Sequence, residues 1–101
     1  MNDNTSAAVV DIEEHAREGR PVPPAPRYRI RIDRAHYEVS EPTISGRELL
    51  VLAGKTPVER FAIYLKRTGG STERIALDQY VDLRGPGVER FVTLPLDQTE
   101  G

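Results

Sequence analysis

Ile44-Ser45-Gly46-Arg47-Glu48-Leu49-Leu50-Val51-Leu52-Ala53-Gly54 is the stretch on which the fold turns. Ser45 followed three residues later by Glu48 is a capping box, in which the hydroxyl accepts from the Glu48 amide and the carboxylate accepts from the Ser45 amide. Ile44, just outside the cap, is placed to staple onto Leu49. Leu49, Leu52 and Ala53 fall on one face at helical spacing, and Gly54 suits the left-handed residue that closes a last turn. Pro57 keeps the helix from resuming. A helix of about two to three turns does not persist alone, because few hydrogen bonds repay its nucleation. It needs a surface to lie on.

The flanking segments supply one. Arg27 to Asp33 alternates strictly, with Tyr28, Ile30 and Ile32 on one face and Arg27, Arg29 and Arg31 on the other, the pattern of a strand with one buried face. Asp33-Arg34-Ala35 makes a turn, and His36 to Glu41 returns as the second arm of a hairpin with Tyr37 and Val39 inward. After the helix, Arg60 to Lys66 is a third strand with Phe61, Ile63 and Leu65 inward. Gly69-Gly70 is a turn, and Glu73 to Leu77 is a short fourth strand. Asp78 to Leu83 reads as a single helical turn with Val81 and Leu83 tucked under the sheet, Gly85-Pro86-Gly87 breaks the chain, and Arg90 to Leu94 is the last strand.

The order strand, strand, helix, strand, short strand, irregular crossing, strand predicts an α+β domain with the helix across one face of a mixed sheet of four to five strands. That is the β-grasp order. A ferredoxin-like arrangement would need a second full helix within residues 78–89, where two Gly and a Pro oppose it.

At 101 residues the chain makes one domain, and 38% apolar against 30% charged residues limits it to a small core. Residues 1–26 read as an N-terminal tail that is disordered or folds on a partner, residues 27–95 as the globular domain, and residues 96–101 as a flexible C-terminal tail. Pro21-Val22-Pro23-Pro24-Ala25-Pro26 is a stiff connector unfit for a central strand, and Ala7 to Glu18 offers only a thin apolar stripe (Val9, Ile12, Ala16) for a transient helix. With no apolar run of membrane-spanning length, no secretion-signal pattern and no cysteine, a cytoplasmic protein is expected, without disulfides, thiolate metal sites or a thiol nucleophile. The charge of −2 divides into −3 for residues 1–26, +3 for residues 27–94 and −2 for the last seven residues. Acids such as Glu38, Glu73 and Glu89 interrupt every basic stretch, which is not a nucleic-acid profile.

Tyr28-Arg29-Ile30-Arg31-Ile32-Asp33, Tyr37-Glu38-Val39, Ile44 to Leu50 and Ala53-Gly54-Lys55, followed by Val81-Asp82-Leu83 and Gly87 to Pro95, together resemble the bacterial multiubiquitin domain over roughly residues 27–97. The resemblance implies a ubiquitin-like modifier that works beside E1-like, E2-like and peptidase partners in bacterial conjugation systems, some linked to phage defence. No internal repeat is present, so this chain would be a single-domain member, a substrate of enzymes and not itself one.

A conjugated modifier presents a C-terminal carboxylate on a slender arm, and Pro95-Leu96-Asp97-Gln98-Thr99-Glu100-Gly101 meets this in part. The departure is Glu100 before a single glycine, where ubiquitin has a Gly-Gly pair preceded by arginine. Gly101 is thus the candidate conjugation residue, and Lys55 and Lys66 are the candidate acceptor lysines of a chain with twelve Arg and two Lys. Codon bias explains the scarcity of lysine equally well. Tyr64 with Ala62, on the strand face away from the helix, is the candidate apolar contact, and Arg29 and Arg31 of the basic row are candidate contacts for an acidic partner, though the row can equally be solvated or pair with Glu38. No catalytic set is evident, and two histidines without cysteine speak against a metal or other cofactor. Besides a modifier, the sequence leaves open a noncovalent binding module and, less favoured for want of Gly-Gly, a sulfur carrier.

Overall fold

The computed structural model describes residues 8–96. Its elements in chain order are β1 (Val9–Asp11), α1 (Ile12–Arg17), β2 (Arg27–Ile32), β3 (Ala35–Val39), β4 (Thr43–Ser45), α2 (Gly46–Leu52), β5 (Phe61–Arg67), β6 (Thr72–Ile75), β7 (Tyr80–Asp82) and β8 (Val88–Pro95), with a 3₁₀ turn at Val58–Arg60. Tyr28, Ile30 and Ile32 of β2, Ile63 and Leu65 of β5, Ile75 of β6 and Phe91 of β8 form the inner face of one mixed sheet, with Leu49 and Leu50 of α2 in the same core. This is the expected α+β, β-grasp arrangement, with six strands in the main sheet and a separate β4–β7 pair.

The opening stretch folds largely as its residues dictate. Both bonds of the capping box form: Glu48 N donates to Ser45 Oγ at 3.1 Å and Ser45 N to Glu48 Oε1 at 3.0 Å. Ile44 and Leu49 belong to one core cluster, as a staple requires. At the other end Gly54 takes φ +74°, Gly54 N donates to Val51 O (3.0 Å) and Lys55 N to Leu50 O (2.8 Å), the paired bonds of a Schellman motif. The buried face differs from the periodic one. Leu49 and Leu50 are fully buried while Leu52 and Ala53 are half-buried, because so short a helix meets the sheet along its first turn and leaves its end at the rim.

Asp78 to Leu83 does not form a helical turn. A turn at Ala76–Gln79, closed by Gln79 N on Ala76 O (3.1 Å), leads into β7, which pairs antiparallel with β4 through Thr43↔Asp82, Ile44↔Val81 and Ser45↔Tyr80. Val81 and Leu83 are buried as expected, and an extended backbone delivers alternate residues inward as well as a helical turn would.

The largest difference lies at the N-terminus. Residues 8–26, expected as a tail, lie against the domain. Parallel strands β1 and β2 pair through Val9↔Arg27, Val10↔Tyr28 and Asp11↔Arg29. Strand β3 takes the whole of the other edge of β2, so β1 shares its edge with β8, which meets β2 only at Ile32↔Phe91. Asp11 caps α1, accepting from Glu13 N and Glu14 N at 3.1 and 3.2 Å. Ile12 and Val22 enter the core, at 0% and 7% exposure. The stripe is thin, yet one isoleucine and Ala16 suffice for a six-residue helix that another surface already supports.

Charge completes the attachment. Glu13, 6% exposed, meets Arg17 at 2.7 Å and Arg31 at 2.9 Å, and Arg17 also meets Glu89 of β8 at 3.0 Å. The Glu89 hydrogen bond, then the Glu13 charge, holds the Arg17 guanidinium above its ordinary pKa. Arg17 is exposed, so its pairs add little, whereas a buried Glu13 deprived of Arg31 would keep only that solvent-screened partner for its charge.

A second tie joins the β2–β3 turn to β8. Asp33 sits at φ +57°, and its carboxylate accepts from Thr93 N (2.9 Å) and Thr93 Oγ1 (2.7 Å), with Thr93 buried. Asp tolerates this backbone conformation better than most residues. Asp33→Ala therefore loses two hydrogen bonds to a charged group and gains backbone strain, and is expected to cost about 2 kcal/mol in urea unfolding. An unchanged midpoint would show that the tie contributes nothing.

Candidate functional site

The β5–β8 register decides which side chains share the outer face, away from α2. Tyr64 stands opposite Val92 and Arg74, Ala62 opposite Leu94, and Lys66 opposite Arg90 and Thr72. Inner positions alternate with these: Ile63 faces Thr93 and Leu65 faces Phe91, all buried. The outer face thus carries a short apolar strip of Tyr64, Val92 and Leu94, in which Leu94 is 50% exposed and Tyr64 and Val92 are half-buried.

Ala62 is not part of that exposed strip. It is 2% exposed, since a side chain ending at Cβ lies below the level of Tyr64 two residues on and Leu94 across the ladder. Leu94 takes its place as the exposed contact. Parity along β8 was the available signal. Phe91 turned inward forces Val92 and Leu94 outward, although Val-x-Leu looks the more core-like pair.

Cations border the strip. Lys66 and Arg90 oppose each other directly, an arrangement that costs stability where no acid intervenes. Among the described residues Lys66, Arg74 and Arg90 make no ion pair, and Arg90 Nε is buried without a hydrogen-bond partner. The basic row of β2 divides. Arg27 pairs with Glu38 across the hairpin at 3.3 Å, Arg31 is held by Glu13, and Arg29 stays exposed. Arg29 is therefore open to a partner, and Arg31 is already engaged within the chain.

Of the two lysines, Lys55 is half-buried with its amine 5.9 Å from the Phe61 ring centroid, and Lys66 is half-buried within the cationic border. His15 Nδ1 lies 2.9 Å from Asp11 O inside the first turn of α1, and His36 is exposed on β3. Among the described residues no three His, Asp or Glu side chains are placed to hold a metal ion, and no helix is long and apolar enough to cross a membrane. Gly101, the candidate conjugation residue, lies outside the described residues.

A mixed sheet, a capped short helix across it and an apolar strip on the opposite face are what a ubiquitin-like domain presents. The family model described as multiubiquitin matches residues 28–95. The chain belongs to the multiubiquitin family. No curated protein and no solved structure gives a match. The multiubiquitin match begins at Tyr28 and so does not cover β1 and α1, which here pack against the matched domain.

Proposed function

We propose that this multiubiquitin domain is a protein modifier activated at Gly101, and not itself an enzyme. An E1-like partner would let the Gly101 carboxylate attack the α-phosphorus of ATP, releasing pyrophosphate and leaving an acyl adenylate. A thiol of the E1-like or E2-like partner would then take the acyl group with loss of AMP. A target amine would displace that thiol to form the amide, and a peptidase would trim the precursor or reverse the bond. Lys55 and Lys66 are the lysines through which the modifier itself could be extended. A cytoplasmic bacterial conjugation pathway, including one serving phage defence, is the setting that fits.

Family membership over residues 28–95 is the observation that carries this reading. The outer strip supports it, because a modifier must be held by its enzymes while its terminus reacts. The noncovalent alternative draws on the same strip: Tyr64, Val92 and Leu94 beside Lys66, Arg74 and Arg90, which make no ion pair among the described residues, suit a docking surface whether or not a bond ever forms. A sulfur carrier remains the third reading.

The test is to incubate the chain with an E1-like enzyme of a bacterial conjugation system and ATP, and to weigh the products. An adenylate or thioester at Gly101, lost on deletion of that residue, is the expected result. No adduct, or one that survives the deletion, overturns the modifier reading. Binding without an adduct would favour the docking module, and a terminal thiocarboxylate the sulfur carrier.

A further inference from the structure

The opposite side of the molecule holds a feature that the modifier reading does not use. Between β3 and α2 runs an open groove of about 500 Å³, lined by Val39, Ile44, Val51 and Leu52, with Glu41, Arg47 and Glu48 among its polar residues. Val51 is 55% exposed at its wall, one of three large apolar residues so exposed among the described residues. The groove lies beside a free sheet edge. Among the described residues β3 pairs with β2 alone, so every second residue of Ala35–Val39 turns its N–H and C=O outward. Its five residues hold no proline and no bulge, two of the usual devices against strand addition.

We propose that this edge and groove together form a docking site for an extended peptide that alternates apolar and basic side chains. The peptide adds to β3 as a further strand, so main-chain bonds hold it and its inward side chains rest on Val39, Val51 and Leu52. Its basic groups answer the acids. Glu41 is exposed with no ion pair among the described residues, and Glu48, whose Oε1 caps the helix, makes none there either. Glu38 also borders the groove, although its carboxylate is shared with Arg27 at 3.3 Å, and Arg47 is the one cation of the lining. The same charge argument excludes the other occupants. Residues 1–7 and 97–101 contain Asp3, Asp97 and Glu100 and no lysine or arginine, so these segments lack the basic side chains that the site selects. A second copy pairing edge to edge would bring a second Glu41 and Glu48 toward the first.

The site is independent of any chemistry at Gly101, and its test needs neither ATP nor an E1-like enzyme. The full chain, labelled for backbone amide NMR, is titrated with a short capped peptide alternating valine with arginine. Three control peptides accompany it: glutamate in place of arginine, a scrambled order, and N-methylation of the bonding edge. Shifts confined to Ala35–Val39 and the Val51–Leu52 turn are expected, with the glutamate and N-methylated peptides at least about tenfold weaker. Val51→Lys and Glu41→Lys change exposed side chains outside the capping box, and each is expected to weaken binding by about tenfold while the spectrum stays folded. Equal binding of the N-methylated peptide overturns strand addition. Equal binding of the glutamate peptide, shifts centred on Tyr64, Val92 and Leu94, or concentration-dependent self-association through β3 overturns the assignment of the occupant.

Discussion

Ile12→Ala is expected to lower the stability of the chain by about 3 kcal/mol, within the range for truncating a buried isoleucine. Ile12 is 0% exposed and sits in the core with Tyr28, Ile30 and Val22, so removing its branched side chain leaves a void between α1 and the sheet. In a domain of this size such a loss moves Tm down by roughly 10–20 °C. The measurement is urea or thermal unfolding of the variant beside Val9→Ala, whose half-buried side chain on the short β1 should cost less than about 1 kcal/mol. The contrast tests whether residues 8–26 are an integral part of the domain. A free tail would make both substitutions silent, and an Ile12→Ala midpoint within error of the parent would return the segment to that role. The position lies outside the matched residues 28–95, so the family pattern gives no reason to expect a core residue there.

That segment also shows where reading residues in isolation falls short. The strands β2 and β5 are legible because alternation forces one face inward whatever the partner, and Tyr28, Ile30, Ile32, Ile63 and Leu65 all obey it. The capping box and Gly54 were legible because their bonds span a few residues and need no tertiary partner. Segment α1 is the opposite case. Asp11 caps Ile12-Glu13-Glu14 in the folded chain, but a helix of a turn and a half gains stability only through the sheet edge it covers. Nothing local signals that the edge of β2 is vacant there, because the early divergence of β8 from β2 is a tertiary fact.

The outer face divides along the same line. Tyr64 was found by alternation within one strand. Ala62 and Leu94 exchanged roles because exposure on a sheet depends on the heights of neighbours across the ladder, and so on a register that joins residues over thirty positions apart. Arg31 was lost as a free contact to Glu13, a residue in the segment read as a tail. Asp78 to Leu83 failed for a related reason. Its inward residues were identified correctly, yet the choice between a turn and a strand was made by Ile44 and Thr43 in a distant part of the chain.

The opening stretch carries the second large effect, at Gly46, where two opposing terms must be weighed. Gly46 is the first residue of α2, and its backbone is helical, so alanine there would gain up to about 1 kcal/mol of helix propensity. Space decides against it. A Cβ at this position collides with the Ala76 carbonyl oxygen and comes within 3.2 Å of Ile75 Cγ2. The carbonyl has little freedom to yield, because it accepts from Gln79 N at 3.1 Å and Ala76 N donates to Gln79 Oε1 at 3.0 Å. The helix cannot back away cheaply either. Gly46 N donates to Gln79 O (3.1 Å) and Arg47 N to Leu77 O (2.9 Å), so the loop after β6 satisfies two of the first-turn amides that no helix can satisfy internally. Displacement forfeits about 1 kcal/mol for each bond, added to the 1–3 kcal/mol typical of overpacking. Gly46→Ala is therefore expected to destabilise the fold by about 2–4 kcal/mol net in urea unfolding. Gly54→Ala, with φ +74° but open space around the new methyl, should cost only the backbone strain of about 1–2 kcal/mol. A Gly46→Ala chain as stable as the parent would mean that propensity outweighs the close approach, and that α2 is not pinned to the loop between β6 and β7.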